Sequence, residues 1–276
     1  YFAGKEKTFS ISKSAINMKA GFTYVREGLP RGIGMLARLL GPICMNIIVL
    51  ATAATYGMAA MSVLGSIKFL ISAPGWGIAG AVLMLTGVAV GEKDKNNIIG
   101  IIKNSVKYIL IVVTVLAALL EIFALPIARA FVTDSEEVTV MAVHAIRWFA
   151  AALPFIALNQ VVMNYLQAIG KKVGTYVYNI ANEFAAYVLV LFIMSKVFGI
   201  EGIWAAMLVE QILLLAVYVI IAVARKSKAK GLERILLLND DFDADMEDFV
   251  ETSVATNEEV CELSEKVMKL CGEHGI

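Results

Sequence analysis

Hydrophobic residues fall into long runs along most of the chain, separated by short polar stretches. As a helix, about 20 apolar residues cross the ~30 Å hydrocarbon core of a bilayer. The pattern predicts six spans, at about residues 32–54, 58–90, 98–125, 140–168, 173–197 and 202–224. Pro30 precedes the first run and suits the first turn of a helix. We therefore expect an all-α polytopic transmembrane bundle of about six helices with a short cytoplasmic tail.

The composition supports a membrane protein. Hydrophobic residues make up 59% of the chain and charged residues only 17%, whereas soluble domains carry about 25% charged residues. The net charge of zero results from basic residues between the runs and an acidic stretch at 240–273. Nothing in this balance indicates a nucleic-acid partner.

The basic residues also predict the orientation. Nearly all Lys and Arg outside the spans lie in one set of connecting segments, and the opposite set holds only Arg129 and Lys196. Positively charged segments stay on the cytoplasmic side. We expect a multi-pass protein of the cell membrane, in contact with the lipid bilayer, whose two ends are both cytoplasmic.

Four regions follow from these patterns. Residues 1–30 are predicted to be a cytoplasmic linker with an amphipathic segment, 31–228 the six-helix lobe, 229–251 an acidic linker, and 252–276 the truncated start of a soluble cytoplasmic domain. The chain begins at Tyr1 without a methionine, so we expect a fragment of a longer protein.

Polar residues within the spans are the candidates for function. Glu183 lies in the middle of the fifth span, with Asn179 one turn before it and Asn182 beside it. A carboxylate at bilayer depth costs several kcal/mol unless it is paired, protonated or facing water. Glu183 therefore either binds an ion or proton in a cavity or forms an ion pair that fixes helix packing.

The other spans add similar residues. Glu210 and Gln211 lie together in the sixth span. The cations Arg38 and Lys68 either pair with these acids or contact an anionic substrate. Amides of the fourth span either line a cavity or join helices. The predicted substrate or ion pathway comprises Glu183, Asn179, Asn182, Glu210, Asn159, Gln160, Asn164, Arg38 and Lys68.

Catalytic motifs are lacking in the sequence. There is no HExxH, no Walker-type loop and no nucleophile with a matching base, and Cys44, Cys261 and Cys271 lack metal-ligand spacing. We expect no enzyme activity, no catalytic residue, no bound metal and no cofactor other than a coupling ion.

The order of short motifs along residues 1–228 resembles the second six-helix lobe of a multidrug and toxic compound extrusion (MATE) transporter. The motifs are Gly28-Leu29-Pro30, Tyr56-Gly57, Gly91-Glu92-Lys93-Asp94, Pro154, Asn159-Gln160, Ala168-Ile169-Gly170-Lys171, Asn179 and Phe198-Gly199-Ile200-Glu201-Gly202-Ile203-Trp204.

This resemblance implies a partner lobe of six helices preceding this one, with a V-shaped cavity between the two. It also implies secondary-active antiport: organic cations or amphiphilic compounds are exported by lobe rocking, driven by a Na⁺ or H⁺ gradient. Many members carry an acid in the first helix of this lobe. Here that helix offers Arg38 and Asn46 instead, so coupling falls to other acids or to the missing lobe.

Two alternatives remain open. Residues from about 252 onward resemble the start of a GHKL-type ATP-binding domain, which implies a membrane-anchored regulatory or sensor protein. A lipid-linked flippase of the same superfamily is the other alternative, and it should place more arginine in its cavity than Arg38 and Arg147 provide.

Overall fold

The structure, a computed structural model, describes residues 18–132, 135–224 and 231–238, with side chains from position 36 onward except those of residues 37 and 172. All regular structure in these ranges is helical. The elements are α1 (Met18–Gly91), α2 (Lys95–Phe131), α3 (Glu136–Ala168), α4 (Lys172–Ile180), a π-helical segment (Ala181–Ala185), α5 (Ala186–Ala224) and α6 (Leu232–Ile235).

Four stretches of this helical structure are long and apolar enough to cross a membrane. Two of them are interrupted by a single residue with non-helical dihedral angles. Ala54 has φ 48° and ψ −140°, and Gly199 has φ 59° and ψ −134°. Six apolar helical segments result, matching the six predicted spans of the helical membrane bundle.

The chain reverses direction at both interruptions. A Cβ atom built on Gly57 would lie 3.0 Å from Cγ1 of Val49, and one on Gly202 would lie 2.0 Å from the carbonyl oxygen of Met194. Residues eight apart in a straight helix are separated by about 12 Å. Both interruptions are therefore tight helical hairpins, in which a glycine three residues after the turn lets the second helix return against the first.

Prolines do not delimit these helices. α1 begins at Met18, so the expectation that Pro30 lies in its first turn was wrong. Pro126 and Pro154 likewise lie inside α2 and α3. Membrane helices tolerate proline because neighbouring groups satisfy the freed backbone carbonyl.

Side-chain caps instead mark two helix starts. The Asp94 carboxylate accepts a hydrogen bond from the backbone N–H of Asn97 at 3.0 Å, and the Ser135 hydroxyl accepts one from that of Val138 at 3.4 Å. Both bonds satisfy donors that a helix N-terminus leaves open.

α3 is the central helix of the bundle. It packs against α1, α2 and α5 and buries Phe149, Leu153 and Tyr165 completely. Large apolar side chains elsewhere, such as Phe69 and Ile122, point outward, as expected where hydrocarbon surrounds the protein.

The start of the predicted acidic linker packs onto the bundle. The hydroxyl of Tyr165 donates to the carbonyl of Leu236 at 2.5 Å, and that of Tyr218 donates to the carbonyl of Ile235 at 2.9 Å. Leu238 is buried. Residues 1–17 and 239–276, including the predicted soluble domain at 252–276, lie outside the described residues.

The hairpin at Gly199 predicts a substitution effect. Gly202→Ala places a carbon 2.0 Å from the Met194 oxygen, so the hairpin must open, and the free energy of unfolding should fall by about 2 kcal/mol or more. The melting temperature of the detergent-solubilised full-length protein measures this. Gly87→Ala is the control, because no heavy atom lies within 4 Å of its Cβ position and alanine favours helix. Equal melting of Gly202→Ala and wild type would contradict the tight reversal.

Candidate functional site

A polar cavity of about 620 Å³ lies between the two halves of α1, α3, the π-helical segment and the second half of α5. Its charged and amide lining residues are Arg38, Lys68, Gln160, Asn164, Asn182, Glu183, Glu210 and Gln211. All of the predicted pathway residues except Asn159 and Asn179 therefore line one cavity, although they come from five of the six spans.

Glu183 occupies the π-helical segment that joins α4 to α5. A π-helical turn holds one more residue than an α-helical turn, and such turns are frequent at functional sites. Arg38 faces it from α1, with its Nε 3.7 Å from Oε1 of Glu183. The Arg38 side chain is 60% exposed and that of Glu183 is 22% exposed. The pair therefore lies at the cavity wall, with the guanidinium on the open side.

Gly41 brings α1 against this segment. A Cβ atom on Gly41 would lie 2.3 Å from the backbone carbonyl oxygen of Glu183, so only glycine allows the two backbones to touch here. Arg38 lies three residues earlier, on the same helix face. This backbone contact accordingly sets the distance across which Arg38 reaches Glu183.

Glu210 lies deeper in the cavity wall, and its side chain is only 1% exposed. Its Oε2 accepts a hydrogen bond from Nε2 of Gln211 at 2.5 Å. Its buried Oε1 has no hydrogen-bond partner within the part of the chain that the structure describes. Lys68 interacts electrostatically with both Glu183 and Glu210. One oxygen of a fully buried carboxylate is thus available to a proton or a small cation.

Gln211 connects the buried acid to the π-helical segment. Its Nε2 also donates to Oδ1 of Asn182 at 3.2 Å, and Asn182 directly precedes Glu183. Gln211 was noted beside Glu210 in the sequence but left out of the predicted pathway residues.

Asn159 holds Gln211 in place rather than lining the cavity. Its Nδ2 donates to Oε1 of Gln211 at 2.7 Å and to the Gln211 backbone carbonyl at 2.9 Å. Its Oδ1 accepts from the hydroxyl of Tyr178. Asn179 also lies outside the cavity lining, and its buried Oδ1 has no partner in the described ranges.

Gln160 and Asn164 both line the cavity from α3. Asn164 Nδ2 donates to the backbone carbonyl of Gln160 at 2.9 Å. Asn164 thereby bonds within its own helix rather than across to a neighbouring one, as expected of a cavity-lining amide.

A second group of charges lies near the opposite end of α3. Nδ1 of His144 is 2.5 Å from Oε1 of Glu201, and Trp148 Nε1 donates to Oε2 of the same acid at 3.2 Å. Arg147 pairs with Glu121 at 3.2 Å. None of these residues lines the cavity, so Arg147 adds no positive charge there.

The cavity contains no cluster for a multidentate metal site. No group of three His, Cys, Asp or Glu side chains that could bind a metal ion occurs among the described residues.

Comparisons of the sequence and of the structure with known proteins point to the same family. The MatE family model matches residues 30–193. The probable multidrug resistance protein NorM of Thermotoga maritima is 23% identical over 219 residues, which cover 77% of this chain and 46% of NorM. The chain thus spans less than half the length of that relative.

Solved structures share the fold. An outward-facing multidrug resistance MATE family transporter of the MOP superfamily aligns with a TM-score of 0.65 at 20% identity, covering 76% of this chain and 46% of that one. Its inward-facing form gives 0.66 at 19% identity, covering 76% and 47%.

A third solved structure also shares the fold. It is a MOP superfamily transporter from Pyrococcus furiosus, described by the reverse polarity of its binding pocket. It gives a TM-score of 0.64 at 18% identity, covering 75% of this chain and 47% of that one. The family match covers more than half of the residues, and the helical bundle with its polar cavity agrees with it. The chain is a membrane protein of the MatE family.

Proposed function

We propose that this chain forms one lobe of a secondary-active exporter of amphiphilic organic compounds, organic cations among them, driven by a Na⁺ or H⁺ gradient. Family membership and the multidrug resistance names of the relatives support this. A second lobe would complete the cavity, and rocking of the lobes would expose it alternately to either side. The proposal assigns transport rather than catalysis to the chain.

The unpartnered Oε1 of Glu210 carries this proposal. An ionised carboxylate with one oxygen unpaired is costly in a low-dielectric interior, so a proton or sodium ion bound at that oxygen would stabilise Glu210. The residue lines the cavity, which gives the ion a route to it. Glu210 is thus the proposed coupling site.

Gln211 would couple ion binding at Glu210 to the residues that contact the substrate. Its Nε2 donates hydrogen bonds to both Glu210 and Asn182. Neutralising Glu210 would weaken the first of these bonds, so that the Gln211 amide bonds mainly to Asn182. Asn182 adjoins Glu183, whose partner Arg38 is exposed in the cavity. The polar network therefore connects a buried ion site to charges that a substrate can contact.

The sign of the exposed charge favours a second substrate class. Arg38 and Lys68 are exposed, whereas Glu183 is 22% exposed and Glu210 only 1%. A compound entering this lobe meets positive charges first, which favours amphiphiles with an anionic group. The flippase alternative gains less support, because Arg38 is the one arginine among the described cavity-lining residues.

We also propose that residues flanking both ends of the lobe are cytoplasmic. The asymmetric distribution of Lys and Arg between the connecting segments supports this orientation.

Glu210→Gln should abolish ion coupling. The amide keeps the shape of the carboxylate but cannot be neutralised by an ion, so gradient-driven export in proteoliposomes should fall about tenfold or more, equivalent to about 1.4 kcal/mol. Glu121→Gln is the matched control, because Glu121 pairs with Arg147 outside the cavity. Equal gradient dependence in Glu210→Gln and wild type would remove Glu210 from the mechanism.

Glu183→Gln distinguishes an ion or substrate site from a packing ion pair. We expect weaker gradient-driven export with an unchanged amount of folded protein in the membrane. The double variant Arg38→Gln/Glu183→Gln removes both charges of the pair. If the pair only fixes packing, the double variant should recover export; continued loss supports a direct role, and unchanged export in Glu183→Gln alone excludes one.

Lys68→Gln tests the substrate charge. If positive charges of the cavity bind an anionic group, export of an anionic fluorescent amphiphile should fall several-fold more than export of a cationic one of similar size. Arg147→Gln, which removes a cation outside the cavity, should affect both dyes equally little. A larger loss for the cationic dye in Lys68→Gln would refute the anionic class.

A further inference from the structure

A second cavity, of about 690 Å³, lies at one end of the bundle and shares no lining residue with the polar cavity. Its walls are formed by the end of α3, by α4, by the second half of α5 and by Leu237, which follows α6. We name it the terminal groove.

The terminal groove is almost entirely apolar. Its side chains include Leu166, Val177, Leu214, Val217, Ile221 and Leu237. Two tyrosines also line it, but the hydroxyl of Tyr178 donates to Asn159 and that of Tyr218 to Ile235. The groove therefore offers hydrocarbon contact along its length, which excludes a polar solute as its occupant.

The length of the groove matches one leaflet of a bilayer. Its lining extends along α4 from Lys171 to Ala181, which are ten residues apart and so about 15 Å along a helix. Half of the ~30 Å hydrocarbon core is also about 15 Å. An acyl chain lying parallel to α4 would fill the groove from the interface to the bilayer midplane.

The groove opens at the outer surface of the helical bundle. Val173 and Val177 on one edge are 76% and 62% exposed, and Ile221 on the other edge is 58% exposed. All three side chains belong to one stretch that is long and apolar enough to cross a membrane. A lipid from the bilayer can thus enter from the side.

One end of the groove carries positive charge. Lys171 lines it there and is the N-cap residue of α4, where no side chain caps the helix. The N-terminus of a helix bears partial positive charge and open backbone donors. An ammonium group and a helix N-terminus at the mouth of an apolar groove are complementary to a lipid phosphate.

We propose that the terminal groove binds one acyl chain of an anionic phospholipid from the surrounding bilayer, with the lipid phosphate at Lys171 and the start of α4. The binding site is separate from the polar cavity and does not depend on which compound the protein exports.

Groove-filling and charge-removal variants test this in the full-length protein. A Cβ on Gly174 would have Lys171 Cβ as its nearest neighbour, at 3.8 Å, so Gly174→Leu fits while filling the groove. Gly100→Leu is the control, because Gly100 lies outside the groove with nothing within 4 Å of its Cβ position. Lys171→Gln removes the charge.

Native mass spectrometry after purification from vesicles of phosphatidylglycerol and phosphatidylcholine gives the readout. Wild type and Gly100→Leu should retain one phosphatidylglycerol, and Gly174→Leu should lose it. Lys171→Gln should reduce the preference for the anionic lipid about fivefold. Equal retention in Gly174→Leu and wild type, or an unchanged preference in Lys171→Gln, would overturn the proposal.

A photo-cross-linker at Val177 gives a second measurement that needs no groove-filling variant. It should label phospholipid in the membrane. Recovery of peptides from residues 239–276 instead would show that the chain fills its own groove and would refute a lipid occupant.

Discussion

The Gln211 side chain is the contact on which the polar interior depends. Its amide accepts from Asn159 and donates to both Glu210 and Asn182, so one side chain links α3, the π-helical segment and α5. Buried polar groups are usually hydrogen-bonded. Gln211 supplies one hydrogen bond to the side chain of each of these three neighbours and so holds their helices in one arrangement, while Oε1 of Glu210 stays unpaired within the described residues.

The balance of charge follows from that network. Two acids and two cations share the polar cavity, but the acids are largely buried while the cations are exposed. Charges near a low-dielectric wall interact strongly, so a change of charge at either acid alters the electrostatic field at Arg38 and Lys68. In the proposed mechanism, the ion and the substrate would therefore need no direct contact.

Much of the fold could be predicted from the sequence, because membrane helices are specified by runs of about 20 apolar residues. The six segments followed from hydropathy, and seven of the nine predicted pathway residues line one cavity. The start of α1 at Met18 was missed, since Pro30 gave a misleading local signal. The central role of Gln211 was also missed, because its partners lie 29 and 52 residues away. Likewise, only the folded chain reveals that Gly41 touches the backbone of Glu183.

The π-helical segment has a consequence for how this chain tolerates change. Each residue of an α-helix turns the chain by about 100°, so the additional residue within Ala181–Ala185 determines the rotation of α5 relative to α4. Deleting Phe184 or Ala185 would turn Asn182 and Gln211 away from each other, while leaving every cavity side chain in the sequence. The lining of the polar cavity therefore depends on the spacing of its residues as much as on their identity. Homologues that differ in length by one residue in this segment would have a differently arranged cavity lining.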